Sequence, residues 1–187
     1  MHEGLSWLAT AATVIAASMT ASNLGSRITG YGFIIFTIGS LAWLGVGLTT
    51  GQPALVWTNV VLTFLNLFGI WRWLGRQAKV EDGARAAADA SESAPGESLF
   101  PVTLLTRGKV LAGGEDVGSC VDAMAGCRSG RIAYVVVSHG GVAGAGETLR
   151  RLPWSEARVE SEQVLTIHDK AGFGRLETVP KDHWPSR

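Results

Sequence analysis

Charge is what the first 76 residues of this 187-residue chain lack: they hold four of its 32 charged side chains, Glu3, Arg27, Arg72 and Arg76. The remaining 28 are spread at ordinary density over residues 77–187, so the overall 17% is an average over two unlike halves. Basic and acidic residues balance at 16 each, which argues against a nucleic-acid partner, since such a surface needs a basic face or stripe. Cysteine is scarce: Cys120 and Cys127 stand seven residues apart with no histidine nearby, which is no zinc signature. His2, His139, His168 and His183 show no ligand spacing either. A Walker-type ending, a Gly-x-Ser-x-Gly elbow and a Cys/His nucleophile pattern are all missing. The expectation is no enzymatic activity, no metal and no cofactor.

What the first half does contain is long apolar runs. Gly4–Ser26 carries no charge, and Ile28–Trp71 is a charge-free run of 44 residues. A helix needs about 20 apolar residues to cross a hydrocarbon core of about 30 Å. The first run holds one span and the second two, divided at Thr49-Thr50-Gly51-Gln52-Pro53, where Pro53 suits the first turn of a new helix. The spans are read as Leu5–Ala21, Thr29–Leu48 and Pro53–Leu74. A cleaved signal peptide is disfavoured, because only His2 and Glu3 precede the first run, without the usual basic segment. Arg27 follows span one, and Arg72, Arg76 and Lys79 follow span three. Both positions lie on one side in a three-span chain, and the positive-inside rule makes that side the cytoplasm. The expectation is a multi-pass membrane protein with its N-terminus outside and its C-terminus in the cytoplasm. Arg27, Trp71, Arg72, Trp73 and Arg76 are the expected interface anchors.

Small residues at spacing four, Ala12-Ala16-Thr20 and Thr13-Ala17-Ala21, predict close helix packing in lipid. Asn59, Thr63 and Asn66 fall on one face of span three, with Thr37 and Ser40 as a smaller counterpart in span two. Such a line serves either interhelical hydrogen bonding or the lining of a solute path.

Tyr31–Leu74, with Phe36-Thr37-Ile38-Gly39, Trp43-Leu44 and Asn59, resembles the second and third helices of the SemiSWEET and PQ-loop small transporters. The resemblance implies that Trp43 and Asn59 line a solute site and that two copies pair through their helices. Trp43, Asn59, Thr63 and Asn66 are therefore the solute-path candidates. The first helix departs from that pattern: it ends Met19-Thr20-Ala21-Ser22-Asn23, without the family's Pro-Gln hinge.

Residues 77–99 form a partly helical linker: Gln77–Ala90 is polar and Ala-rich, and Ser91–Ser98 is turn-rich. From Phe100 short β-rich runs alternate with glycines. Gly118–Met124 and Arg131–Val137 predict a hairpin, Thr148–Leu152 and Val164–Ile167 further strands, and Asp169–Leu176 a helical turn. Regular turns between strands imply a small antiparallel barrel. Gly140–Gly146 is expected to be a tight hairpin, because a dinucleotide loop needs a helix after it and Glu147–Leu152 reads as a strand. Glu115-Asp116 reads as a solvated turn, and Arg150, Arg151 and Arg158 read as a solvated face, with contact to anionic lipid or an acidic partner as the alternative.

The spaced pattern Arg107-Gly108-Lys109-Val110, Gly114–Gly118, Gly130–Val137, Leu152-Pro153-Trp154 and Trp184-Pro185 resembles the PRC-barrel family. That family implies a docking or assembly module with no shared active site to carry over. The fold class expected is thus an α-helical membrane bundle over residues 1–76 and a cytoplasmic PRC-barrel-like domain over 100–187. The partners expected are the lipid bilayer and a protein docked on the barrel.

Overall fold

Long apolar runs with a single charge each in α1 and α2 and none in α3, interrupted only by turn residues, give three long helices: α1 (His2–Ala21), α2 (Ser26–Thr49) and α3 (Pro53–Ile70). The structure, a computed structural model, describes residues 2–22, 24–141 and 146–186. Each helix is long and apolar enough to cross a membrane. The turn between α2 and α3 has Gly51 at φ 67°, and Pro53 opens α3 as expected. Helical structure does not stop at Leu74. It continues through a π-helical stretch, Trp71–Gln77, into α4 (Ala78–Glu92). The chain divides into two compact units, Met1–Ala86 and Ala87–Arg187.

Within the first unit α2 is the middle helix, with α1 and α3 each packed along it. Contact is made through small residues. Ala9, Ala12 and Ala16 are buried, and Gly39 of α2 lies against Ala12 and Thr13. Gly32 sits against Ala16 and Thr20, so the first of the two small-residue stripes faces α2. Large apolar side chains point outward: Trp57, Phe64 and Phe68 are 70%, 69% and 55% exposed, whereas Asn59 and Asn66 are only 4% and 6% exposed. Polar groups inside and aromatics outside is the arrangement that an apolar solvent demands.

The second unit has the opposite distribution. After a 3₁₀ turn (Val102–Thr106) come β1 (Lys109–Ala112), β2 (Glu115–Ala125), β3 (Ile132–His139), β4 (Thr148–Pro153), β5 (Ala157–Glu160), β6 (Gln163–Thr166), α5 (Lys170–Phe173) and β7 (Thr178–Val179). The expected hairpin is β2–β3, in register from Ser119↔Ser138 to Ala125↔Ile132. Its core holds Val110, Val135, Val137, Leu152, Val164 and Phe173, all fully buried. The opposite face of β3 buries Tyr134 and Val136 beneath Trp184, and the Tyr134 hydroxyl donates to the Pro185 carbonyl at 2.6 Å. Asp169 caps α5, accepting from the Gly172 amide, so the predicted helical turn is present.

Two features differ from an all-antiparallel closed barrel. Among the described residues seven strands lie in the order β5-β6-β1-β2-β3-β4-β7, a sheet that is not closed by pairing of its outer strands. The β1–β6 pair is parallel, because the β5–β6 hairpin lays its second strand along the free edge of β1 in the same direction. β1 and β5, four residues each, and the two-residue β7 are strands that the sequence pattern does not mark, because their apolar alternation is too short to stand out.

Candidate functional site

A cavity of about 410 Å³ opens in the helical unit. Because α2 is the middle helix, the space over it is walled by all three: Thr13 from α1, Phe33, Phe36, Ser40 and Trp43 from α2, and Leu55, Asn59, Leu62 and Asn66 from α3. Three of the four solute-path candidates, Trp43, Asn59 and Asn66, therefore line one cavity. Thr63 does not; its hydroxyl donates to the Asn59 carbonyl at 2.7 Å. Thr37 similarly turns back on its own helix, to the Phe33 carbonyl. Thr13 lines the cavity although it belongs to a small-residue stripe that reads as packing; its hydroxyl donates to the Ala9 carbonyl at 2.8 Å.

Hydrogen bonding in the cavity is local and economical. The Asn66 amide donates to the Ser40 hydroxyl at 3.0 Å, which in turn donates to the Phe36 carbonyl at 2.9 Å. That chain joins α3 to α2. The Asn59 amide nitrogen donates to the Leu55 carbonyl one turn back at 2.8 Å. A side-chain amide carries two donor hydrogens and an acceptor oxygen, so this bond alone does not saturate it.

Toward the start of α1 a second cavity of about 690 Å³, lined in part by Glu3, Ser6, Thr10, Thr50 and Gln52, shares Trp43 and Leu55 with the first. At the other end α2 packs closely against α3 and the stretch that follows it. The Phe33 ring lies on Gly69 and the Leu74 side chain on Gly30, each filling the space a Cβ would take. Beyond that contact Arg27 donates twice to Asp82, at 2.8 and 2.9 Å, and the Ser26 hydroxyl donates to Glu81 at 2.7 Å. Two carboxylates at the first turn of α2 also complement its dipole. Of the expected anchors, Arg27 is thus held in an ion pair, Arg72 lies 5.9 Å from the Trp73 ring and Trp71 packs on Phe68. Trp71, Trp73, Arg72 and Arg76 all fall on the π-helical stretch.

In the sheet unit polar side chains are largely occupied by internal partners. Glu115 pairs with Lys170 at 2.8 Å and Asp116 with Lys109 at 3.2 Å, flanking the Gly113-Gly114 turn, in keeping with a solvated turn. His139 Nδ1 donates to the Val117 carbonyl at 2.6 Å, and His168 Nε2 lies 2.6 Å from Glu156. Arg150 and Arg151 are not a free basic face. Arg150 donates to the Leu176 carbonyl, while Arg151 meets Glu177 and lies over the Tyr134 ring at 4.9 Å. Glu147 accepts from Lys181 and from the Ser138 hydroxyl, which together hold its carboxyl below the usual range. Cys120 is buried in β2 and Cys127 exposed in the β2–β3 turn, both as free thiols, and burial pushes the Cys120 thiol up to about 12. Among the described residues no group of three His, Cys, Asp or Glu is placed to hold a metal ion. Gly140 and Gly141 take positive φ at the end of β3 and the chain resumes as β4, not as a helix. Residues 142–145 of that glycine run, like Asn23 at the end of the first span, lie outside the described residues.

No protein-family model matches the chain, and no curated protein matches it.

Proposed function

We propose that this protein is a membrane-tethered docking module: its helices anchor in a bacterial inner membrane, and its sheet unit, of PRC-barrel type, holds a protein partner at the cytoplasmic face. One observation carries the reading. The helical unit exposes aromatics and buries Asn59 and Asn66, whereas the second unit buries its valines and uses its charges on its own surface. A chain built for two solvents is built to sit at their boundary. The Arg27 and Arg72/Arg76 distribution supports an outside N-terminus. Pull-down from membranes with the full chain and with a chain lacking 100–187 tests it. Partners captured only by the full chain support docking; identical partners from both would defeat it.

The cavity favours a second reading, a small-solute transporter formed by paired helical units. Ser40, Asn59, Asn66 and Trp43 supply hydrogen-bonding groups and one aromatic wall, and the second cavity extends the space toward the start of α1. Pockets of this size, mostly apolar with a few polar groups, suit small ligands. Reconstituted vesicles should then take up a small polar solute, and Asn59→Ala should slow uptake. Uptake unaffected by Asn59→Ala would remove this cavity from the path.

A further inference from the structure

The sheet ends at β5, and the register of its hairpin fixes what that edge presents. β5 and β6 are joined by the two-residue turn Ser161-Glu162, with Glu160 opposite Gln163. In a two-residue hairpin the residues flanking the turn form a hydrogen-bonded pair, and pairs alternate from there. Glu160 and Arg158 therefore direct their backbone N–H and C=O groups to β6, while Val159 directs its own away from β6, toward the open edge. Side chains alternate on the other axis: Arg158 and Glu160 are exposed, and Ala157 and Val159 face the core.

From this we infer that β5 is a self-recognition edge whose occupant is the β5 strand of a second copy of this chain. An antiparallel pair about a twofold axis through Val159 matches the edge in every respect that register can set. The two Val159 residues exchange N–H···O=C bonds with each other. Arg158 of each copy then stands opposite Glu160 of the other, in the non-hydrogen-bonded positions where side chains come closest. The charges are available for this exchange: among the described residues Arg158 and Glu160 pair with each other at 3.5 Å, at 71% and 61% side-chain exposure. Charged side chains and short length ordinarily blunt a sheet edge against pairing. Here the twofold brings opposite charges together twice. The strand is short, four residues, so the interaction is a reversible one that unites two seven-stranded sheets across their edges. It is separate from any pairing of copies through the helices.

The test uses the full chain in native membranes, with Cys127→Ser removing the exposed native thiol. Differently tagged Arg158→Cys and Glu160→Cys chains are co-expressed and mildly oxidised. The inferred register predicts a mixed disulfide at several times the yield of either self-disulfide, since residues 158 and 160 oppose each other and 158 and 158 do not. Equal yields for all three combinations, as an unregistered or helix-driven dimer would give, overturn the inference, as does the absence of any disulfide. A second measurement follows dimer fraction by energy transfer between labelled sheet units. Arg158→Glu should lower association about tenfold by placing like charges opposite each other twice, and the exchange Arg158→Glu/Glu160→Arg should restore it. No loss in the single variant, or no recovery in the exchange, overturns it equally.

Discussion

The two units of this chain solve burial in opposite ways. In the helical unit the inner surfaces are Ala9, Ala12, Ala16, Gly32 and Gly39 with Ser40, Asn59 and Asn66, and the bulk lies outside. In the sheet unit Val135, Val137, Leu152 and Phe173 fill a closed core, with the charged residues outside. The difference teaches what holds each together. The sheet gains from taking apolar area out of water, at about 25 cal/mol per Å². A helix surrounded by lipid gains nothing from that source, and what the helical unit offers instead is close backbone approach and hydrogen bonds such as Asn66 to Ser40.

The comparison can be broken at its strongest point by the thiols of the sheet unit. With its pKa pushed from 9.0 to about 12, Cys120 holds about a thousandfold less thiolate near neutral pH than an unperturbed thiol. Alkylation at pH 8 should thus modify exposed Cys127 and spare Cys120; equal labelling, read by mass spectrometry, would mean that the core is open. The same shift sets a pH dependence. The folded sheet keeps its Cys120 proton where the unfolded chain loses it, so this contribution to stability is intact below about pH 9 and is lost as pH rises from 9.0 toward 12.

Truncating the cores comes next. Leu152→Ala, at 0% exposure, should cost the sheet unit about 3 kcal/mol in denaturant unfolding. Leu65→Ala, at 57% exposure on α3, should change helical stability by about 0.5 kcal/mol or less. Similar costs at the two sites would erase the contrast. An outward charge sharpens it from the other side. Phe64→Arg leaves the interior of the helical unit untouched, yet near the middle of a membrane span it should cost about 3 kcal/mol of insertion. A glycosylation-mapped insertion assay showing no loss would place α3 outside the hydrocarbon. The smallest effect is expected from Asn66→Leu, which deletes the α3-to-α2 bond to Ser40. By membrane double-mutant measurements that bond is worth about 0.6 kcal/mol, visible as a small shift in unfolding in detergent.

How far these features were legible depends on how local they are. The helices were readable because a charge-free run of 44 residues leaves few alternatives, and Pro53 and Gly51 mark the break within it. The β2–β3 hairpin was readable because apolar runs flank one turn. Asn59 and Asn66 could be paired from helical spacing alone. Thr13 could not be joined to them, because its membership depends on how α1 lies on α2. The parallel β1–β6 pair brings Val110 against Val164, a contact that no local pattern announces. Arg151 read as solvated because the strand pattern does not show that Tyr134 lies beneath it.

The sequence by itself determined which segments are apolar enough to cross a membrane and which carry charge, and it determined the turns, since glycine and proline act over a few residues. Only the tertiary structure decided that α2 lies between its neighbours and leaves a cavity over Ser40 and Asn59, and that the sheet stays open with β5 at its edge. Both depend on pairings between residues far apart in the chain, whose choice rests on the fit of whole surfaces and not on any short run of side chains.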